Sequence, residues 1–315
     1  MSDRLPPLTA LRAFDAAARH MSFQQAAAEL NVTPAALSFQ IKSLEEHLGI
    51  PLFRRLNRAV ELTEAGRALA PGAKDGFETL GLAWRATRRL SDSASVTVTA
   101  GPAFTAKWLA PRLYDFARAH PDIELKFSAS MRTMDFLRDE IDVAIRFGFG
   151  DDEGLFSAPL KDEWVTPVMT PEMAARYPTP ESLTEAQLIT DDSIDSLALA
   201  SNWEVWFKAA GVDFVPKHSI HFSQPDHALD AAISGTGITL GRSTLVHFDL
   251  TIGRLIAPYR VALDTGAKFR FLCQKGHEDR PNIKAIREWV LRQASETDHL
   301  AHNHEIVSAV EVARA

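Results

Sequence analysis

Three arginines lie close together in the segment IPLFRRLNRAVELT, at Arg54, Arg55 and Arg58. Guanidinium groups bind phosphate oxygens, and positive charge at this density favours contact with a polyanion such as a nucleic-acid backbone. The alternative is a charged hairpin that meets only solvent. Both interpretations require the same scaffold, because the short β-prone pieces LFRR and AVELT flank the sequence LNR. We therefore expect a β-hairpin, or wing, that carries the three arginines.

The stretch NVTPAALSFQIKSLEEHLG, residues 31–49, carries a second set of possible contacts. Its large aliphatic residues recur at helical spacing and predict the buried side of a helix: Leu37, Ile41, Leu44 and Leu48. With about 100° of rotation per residue, the opposite face and its edge hold Ala35, Ser38, Phe39, Lys42 and Glu46. Because a solvated helix rarely leaves a phenylalanine in water, this face is expected to meet a partner, or else Phe39 packs against the protein's own wing or linker.

The residues before this helix predict two further helices and the turn that leads into it. LTALRAFDAAARH has apolar residues at helical spacing, and Ser22 begins a short second helix with Gln25 three residues later, as in a capping box. Thr33 is suited to cap the third helix, Pro34 to occupy its first turn and Gly49 to end it. Two helices joined by a tight turn form the helix-turn-helix motif, whose second helix enters the major groove of DNA.

Contacts to bases and phosphates follow from this layout. Phe39 would meet a thymine methyl group, Ala35 would allow close approach, and Ser38 would hydrogen-bond a base edge or a phosphate. The free N–H groups at the start of the helix suit a phosphate. The predicted DNA contacts are Ser22, Gln24, Thr33, Pro34, Ala35, Ser38, Phe39, Gln40, Lys42, Arg54, Arg55 and Arg58.

A long helix is predicted from Glu64 to about Ser91. Its apolar residues form a seam at helical spacing: Leu69, Ala73, Phe77, Leu80 and Trp84. A long helix with such a seam and no local partner usually pairs with a copy of itself, so Leu69, Phe77, Leu80 and Trp84 are predicted dimerisation residues. The alternative is packing within one monomer. Pro71 is expected to bend the helix.

Composition narrows the class of protein. Residues 1–90 hold 12 Lys and Arg against 9 Asp and Glu, whereas the remaining 225 residues hold 22 against 32. A basic head on an acidic body fits a local DNA-binding module. No run of residues is apolar enough to span a membrane, and the N-terminus lacks a signal-peptide core, so a cytoplasmic protein is expected. Cys273, the one cysteine, is expected to be a buried small side chain.

From Ser95 onwards the pattern changes to strands that alternate with helices. SVTVTA, IELKFSAS, IDVAIRFG, WVTPVM, HSIHF, GITLG and FRFLCQ are strand-like, and helical patterns separate several of them. Such alternation predicts an α/β sheet with parallel strands. The last residues, AHNHEIVSAVEVARA, carry no firm fold signal, and we expect a frayed or loosely docked tail.

Taken together, these segments resemble a LysR-type transcriptional regulator over nearly the whole chain. The resemblance is strongest from LTALRAF to LTEAG, and LPPLTALRAFDAAARH, LFRRLNR and DVAIRFG point to the subgroup around the glycine-cleavage activator and the β-lactamase regulator. It implies a multidomain fold with an N-terminal, otherwise all-α winged helix-turn-helix (1–63), a dimerising linker helix (64–92), and a two-lobed effector-binding domain of periplasmic-binding-protein type (93–300).

The resemblance also implies how the last domain and the assembly are built. The chain crosses between the lobes twice, with lobe I at 93–165 and 266–295, lobe II at 166–265 and a tail at 301–315. Double-stranded promoter DNA, a small-molecule effector, RNA polymerase for an activator, and a homodimer or homotetramer are the implied partners. No cofactor is implied.

Effector contacts are predicted from the rule that ligands sit beyond the carboxyl ends of strands in such sheets. The candidates are Phe104, Thr105, Ser128, Ser130, Arg146, Phe147, Phe222 and Ser223. Helix starts near Thr105 and Ser223 would offer N–H groups to a carboxylate, and Arg146 would be its charge partner. Arg146 could equally be a structural ion-pair residue, and the three phenylalanines could equally belong to the core.

Other functions have weaker support in the sequence. His299, His302, His304 and Glu305 lie near one another, but their spacing is loose for a metal site and a solvated tail is the alternative. No catalytic constellation or nucleotide-binding loop is present in the sequence, which disfavours an enzyme. A solute-binding protein would use the same two-lobed domain, but the N-terminal helix-turn-helix disfavours it.

Overall fold

The computed structural model describes residues 5–55, 60–89, 95–132, 134–150, 152–193, 201–296 and 303–315, and the structural statements below concern these residues. The chain forms two compact units, Met1–Ser91 and Asp92–Ala315, each of which is described by itself. None of the described helices is long and apolar enough to cross a membrane.

The first unit contains the helix-turn-helix, the hairpin and the long helix. In chain order its elements are α1 (Leu8–His20), α2 (Phe23–Glu29), α3 (Pro34–Leu48), β1 (Phe53–Arg55), β2 (Val60–Leu62) and α4 (Glu64–Arg89). The strands β1 and β2 pair antiparallel. The predicted order of elements is confirmed.

Local hydrogen bonds set the ends of these helices. The Ser22 hydroxyl accepts from the Gln25 N–H, and the Thr33 hydroxyl accepts from the Ala36 N–H at 3.2 Å. Gly49, with φ of +74°, ends α3 in the left-handed conformation that favours glycine. The predicted caps are therefore present, and the Thr33 cap lies at the turn between α2 and α3.

The core of the first unit forms where α1, α2, α3 and the hairpin meet. Phe14, Leu37, Ile41 and Leu44 are buried in it. The prediction that Leu48 belongs to this buried side is wrong, because Leu48 is 41% exposed. It lies in the last turn of α3, beyond the reach of α1 and α2.

The second unit is built on one sheet. Its strands are β3 (Ser95–Ala100), β4 (Glu124–Ala129), β5 (Val143–Gly148), β6 (Leu155–Val168), β7 (Leu188–Asp191), β8 (Ile220–Phe222), β9 (Ile238–Arg242), β10 (Val261–Gln274) and β11 (Glu305–Ser308). The order across the sheet is β4-β3-β5-β10-β6-β9-β7-β8, with β11 beside β10. Its helices are α5 (Pro102–Phe104), α6 (Leu113–Ala119), α7 (Pro171–Arg176), α8 (Trp203–Ala209), α9 (Pro225–Ile233), α10 (Ser243–Thr251), α11 (Pro281–Ser295) and α12 (Ala309–Arg314).

The sheet is mixed rather than purely parallel. The pairs on either side, such as β3 with β4 and β7 with β9, are parallel as predicted. The central pairs β5–β10, β10–β6 and β6–β9 are antiparallel. All three of these antiparallel pairs involve β6 or β10, and each of these two strands is 14 residues long.

Two long strands therefore join the two halves of the unit. The predicted lobe boundaries, at 165/166 and 265/266, fall inside β6 and β10, where the register of their pairing shifts between Asp264 and Lys268. One apolar cluster also spans both predicted lobes, with Phe104 and Trp108 from one and Leu229 and Leu245 from the other. The exact lobe limits stay a prediction.

Of the two alternatives for the tail, frayed or loosely docked, the frayed one is wrong for residues 303–315. Strand β11 pairs parallel with β10, from Val261 opposite Glu305 to Asp264 opposite Ser308. Ala309 is fully buried, and the His304 ring lies 4.6 Å from the Trp164 ring. A strand of four residues and a helix of six are too short to leave a clear periodic signal, which explains the wrong prediction.

Candidate functional site

Helix α3 presents one face to its own core and the other to solvent. Phe39 is 67% exposed. Packing of Phe39 against the protein's own hairpin or linker would bury the ring, so the structure disfavours that alternative. Phe39 lies beside a hollow of about 370 Å³ lined by Phe23, Ser38, Phe39, Ile41, Lys42, Glu45 and Phe53.

The other predicted contacts on α2 and α3 are spread around this face. Gln24, Thr33, Pro34, Ala35 and Lys42 are exposed, while Ser22, Ser38 and Gln40 are half-buried. The hydroxyls of Ser22 and Thr33 cap α2 and α3, so any phosphate they contact would share them with a backbone N–H. Lys42 lies 3.7 Å from Glu46 one turn away, a pair that is largely in solvent.

Glu45 has a role that the sequence did not reveal. Its Oε1 accepts hydrogen bonds from the backbone N–H groups of Leu52 at 2.8 Å and Phe53 at 3.1 Å. A carboxylate that accepts two backbone N–H groups forms strong, charge-assisted bonds. Glu45 thus fixes the base of the hairpin to the last turn of α3. The sequence alone shows only an acidic residue near the end of a helix, and it does not show that the carboxylate accepts from backbone N–H groups a few residues later.

Of the three predicted arginines of the hairpin, the structure describes the side chain of one, Arg54. Arg54 stands opposite Glu61 in the β1–β2 pair, and its guanidinium lies 3.5 Å from that carboxylate on an exposed surface. The backbone of Arg55 pairs with Val60. Arg58 lies outside the described residues. The hairpin itself is confirmed, whereas the joint position of the three guanidinium groups stays a prediction.

The predicted seam of α4 divides into two parts. Leu69 packs at the edge of the first unit's core, next to the buried Ala73. Phe77 is half-buried, Leu80 is 53% exposed and Trp84 is 68% exposed. The start of the helix thus packs within one monomer, as the alternative had it, while its later turns keep large apolar side chains in solvent.

The second unit encloses a cavity of about 540 Å³ near the carboxyl ends of β3, β4 and β5. Four predicted contacts line it: Phe104, Ser130, Arg146 and Phe147. Phe104 is also a core residue, because it is 1% exposed and its ring stacks 4.9 Å from that of Trp108. Phe104 is therefore both a core residue and a residue of the cavity wall.

The other four predicted contacts are absent from the described lining of this cavity. Thr105 lies one turn inside a helix that begins at Pro102, and its hydroxyl donates to the Gly101 carbonyl. Ser128 lies within β4, one residue before the strand ends. Phe222 and Ser223 precede α9, whose first residues Gln224 and Pro225 reach the cavity instead. The prediction found the correct loops but was one to three residues off within them.

Three arginines line the cavity, and sequence reasoning found only Arg146. Arg242 lies 2.9 Å from Asp191, and its guanidinium stacks 5.0 Å from the Phe147 ring centroid. Arg270 Nε lies 2.9 Å from Asp152. Arg146 donates to Thr99 Oγ1 at 3.0 Å and to its neighbour's carbonyl, and burial lowers the pKa of Arg146 below its ordinary value. Arg242 and Arg270 come from strands that adjoin the site only through long-range pairing, so local sequence carries no signal for them.

One ion pair and one hydrogen bond join the two predicted lobes. Lys107 Nζ lies 2.5 Å from Asp230 on α9. Arg112 Nη2 lies 2.7 Å from His247 Nδ1 on α10. Both pairs join residues more than a hundred positions apart in sequence. A change in the angle between the predicted lobes would alter both contacts.

Remaining polar clusters serve the fold. Ser219 Oγ lies 2.8 Å from His221 Nε2, and His221 Nδ1 lies 2.9 Å from Asp192, in the order of a catalytic triad. His221 is exposed on the edge strand β8, and no cavity described above includes it. Among the described residues no cluster has a metal-binding arrangement, and His299 and His302 lie outside them. Burial raises the pKa of Cys273 to about 11, in agreement with a structural thiol.

Two protein families cover most of the chain. Residues 8–67 match the family described as bacterial regulatory helix-turn-helix protein, lysR family. Residues 89–295 match the LysR substrate binding domain.

Individual proteins align along nearly the whole chain. The glycine cleavage system transcriptional activator of Escherichia coli K12 is 38% identical over 299 residues, which cover 94% of this chain and 96% of the relative. The HTH-type transcriptional activator AmpR of Pseudomonas aeruginosa is 36% identical over 294 residues, which cover 92% and 96%.

Solved structures share the architecture. The effector domain of AmpR from Pseudomonas aeruginosa superposes with a TM-score of 0.54 at 29% identity, covering 65% of this chain and 98% of that one. CrgA, a LysR-type transcriptional regulator from Neisseria meningitidis, superposes with a TM-score of 0.50 at 22% identity, covering 92% and 99%. The likeness to CrgA is one of fold alone.

Proposed function

The chain belongs to the LysR family, as a transcriptional regulator with a helix-turn-helix DNA-binding domain and an effector-binding domain, and we propose that α3 and the β1–β2 hairpin are its contacts to promoter DNA. The observation that carries this proposal is the exposed Phe39 on α3, opposite the buried Leu37 and Ile41. A large apolar side chain held in solvent on this helix suits a thymine methyl group in the major groove.

The hairpin would supply the less specific part of the affinity. Arg54, together with Arg55 and Arg58, would meet phosphates beside the groove that α3 occupies. Glu45 supports this assignment, because its bonds to Leu52 and Phe53 keep helix and hairpin at a fixed spacing. Helix and hairpin would then read DNA as one rigid element.

Helix α4 would pair two chains. Leu80 and Trp84 are exposed large apolar residues on one stripe of this helix, and Phe77 is half-buried beside them. Burying such residues against a second copy is the favourable outcome for an amphipathic helix. A homodimer built this way would present two copies of α3 to two half-sites, and pairing of dimers would give a homotetramer.

The cavity of the second unit would hold the effector. Two relatives are named as transcriptional activators, and we extend that role to this chain, with RNA polymerase as the partner at the promoter. The site would act by binding alone, without enzymatic conversion of the effector. A cytoplasmic location follows from this function, because the protein must meet both chromosomal DNA and a small intracellular molecule.

A gel shift with the DNA upstream of the protein's own gene tests the proposal. The wild-type protein should retard this fragment at concentrations that leave an unrelated fragment free, and Phe39→Ala should weaken the specific complex. Leu48→Ala is the matched control, because Leu48 is an exposed apolar residue of the same helix, far from its N-terminal half. Equal loss of binding in both variants, or none in Phe39→Ala, would remove Phe39 from the contact surface.

A further inference from the structure

One wall of the cavity carries two arginines side by side. Arg146 of β5 stands directly opposite Arg270 of β10 in the antiparallel register, and Ala144 stands opposite Leu272 two residues away. Directly opposite residues of an antiparallel pair project from the same face of the sheet. The two guanidinium groups therefore share one surface, where like charges repel unless anions lie nearby.

Only one of these two charges is compensated by a carboxylate among the described residues. Asp152 lies 2.9 Å from Arg270 Nε and also accepts a hydrogen bond from Ser157. The third cavity arginine, Arg242, has Asp191. Among the described residues Arg146 reaches only neutral oxygens, namely Thr99 Oγ1 at 3.0 Å, its neighbour's carbonyl at 3.0 Å and the Arg132 carbonyl at 3.5 Å.

The orientation of Arg146 is fixed before any ligand arrives. The Thr99 hydroxyl, which is fully buried, donates to the Ser128 carbonyl at 2.9 Å and so turns its lone pairs to Arg146. A guanidinium held in place by neutral acceptors keeps N–H groups for an anion, and little side-chain entropy remains to be lost on binding.

Part of the cavity wall beside Arg146 is apolar. An apolar cluster on the same face of β5 and β10 includes Phe136, Ala144 and Leu272, with Met134 and Leu155 packed against it. All five of these side chains line the cavity, whose volume of about 540 Å³ exceeds what a two-carbon acid would fill. The site thus joins one uncompensated cation to an apolar space.

We propose that the effector is a monocarboxylic acid with an apolar body, whose carboxylate binds Arg146 and whose body fills the space beside Leu272 and Met134. This inference rests on the proposed function, in which the cavity is the effector site. An amino acid is less favoured, because the unpartnered buried acceptor on the described lining, Gln224 Oε1, is a neutral amide oxygen and supplies no counter-charge for an ammonium group. Among the described lining residues, Asp152 is committed to Arg270, and Glu153 is exposed.

The test compares three ligands that share one apolar body: 3-phenylpropanoate, 3-phenylpropanamide and phenylalanine, with hexanoate, hexanamide and norleucine as a second set. Thermal shift and calorimetry on the full chain should show binding of at least one of the two acids and not of its amide. Arg146→Gln should weaken acid binding by about 10- to 100-fold, as expected when a charged hydrogen-bonding group is removed.

Arg118→Gln is the control variant, because it removes the same charge from an exposed position on α6. It should bind the acid as the wild type does. Arg146→Gln without ligand should melt no lower than Arg118→Gln, since its loss relieves the repulsion from Arg270. A structural ion-pair role would instead lower the melting temperature of the free protein.

Three results would overturn the inference: binding of neither acid, equal binding of an acid to the wild type and Arg146→Gln, or preference for the amide or the amino acid. The gel shift with promoter DNA separates this failure from failure of the proposed function. A protein that still binds its promoter but ignores both acids would remain a regulator with an effector of another class.

Discussion

The DNA-binding unit and the effector-binding unit hold their candidate contacts in opposite ways. In the first, Phe39 and Arg54 stand on the outer surface, and the core beneath them is complete without them. In the second, Phe104 and Arg146 belong both to the cavity wall and to the packing or hydrogen bonding of the sheet. A change at the outer surface should therefore alter binding alone, whereas a change at a cavity residue that is also packed in the core, such as Phe104, should alter binding and stability together.

The largest effect is expected from Phe104→Ala, which would remove a ring that stacks on Trp108 and lies 4.6 Å from Phe269. Loss of a fully buried aromatic costs about 3–5 kcal/mol of unfolding free energy. Chemical denaturation followed by tryptophan fluorescence would measure it. A stability within about 1 kcal/mol of the wild type would contradict the assignment of Phe104 to the core.

The next largest effect is expected from Leu80→Asp combined with Trp84→Asp on α4. Both side chains are already exposed in the chain, so the fold should persist while the buried seam between two copies is lost. Light scattering should show monomers, and affinity for a DNA with two half-sites should fall by at least about 100-fold. Thr79→Asp, on another side of the same helix, is the control; an unchanged oligomer in the double variant would show that the chains pair elsewhere.

Phe39→Ala should give a smaller, purely binding effect. Removing an apolar contact of this size should cost about 1.5–3 kcal/mol of specific DNA binding and leave the melting temperature at the wild-type value. Replacing the contacted thymine by uracil removes only its methyl group, so it should weaken the wild type and scarcely affect the variant. A lower melting temperature for Phe39→Ala would place the ring inside the protein.

Arg54→Ala should lower affinity for all DNA sequences about equally. If Arg54 meets one phosphate, the slope of log affinity against log salt should fall by about one unit. The effect on stability should be close to zero, because the Arg54–Glu61 pair is exposed. Lys74→Ala, an exposed cation on α4, is the matched control and should leave the slope unchanged.

The smallest effect concerns pH and the C-terminal segment. Burial lowers the pKa of His304 below its ordinary value of 6.5, so the folded state favours the neutral ring. Its contribution to stability is complete above the unfolded pKa and declines as the pH falls through and below that value. The melting temperature of the wild type should therefore fall more than that of His304→Phe between about pH 7.5 and about pH 5. Parallel curves would exclude the effect.

Predictability from sequence follows the same division between the two units. The caps at Ser22 and Thr33, the stop at Gly49 and the hairpin were predicted because each depends on neighbours within a few residues. Leu48 was wrongly placed because helical spacing does not say where the supporting helices end. Glu45 was missed because its partners are backbone groups that carry no sequence signal of their own.

The cavity was predicted only at the level of loops. Ser130, Arg146 and Phe147 follow from the rule about strand ends, but Arg242 and Arg270 enter through the pairing of β9, β6, β10 and β5. The antiparallel centre of the sheet could not be inferred, because neither crossing strand is hydrophobic throughout. The first half of β6, LFSAPLKDE, contains a proline and a charged run, so it is not predicted as a strand.

The docked C-terminal segment has a practical consequence for anyone who expresses the effector-binding unit alone. The family match ends at residue 295, and a fragment cut there would lack β11 and α12. The Val261–Asp264 stretch of β10 would then lose its neighbour on one side, and an unpaired strand edge invites another chain to pair with it. Such a fragment should aggregate or form dimers that the intact protein does not form. A fragment that extends to residue 315 should form neither. A purification tag is better placed at the other end of the fragment, away from α12.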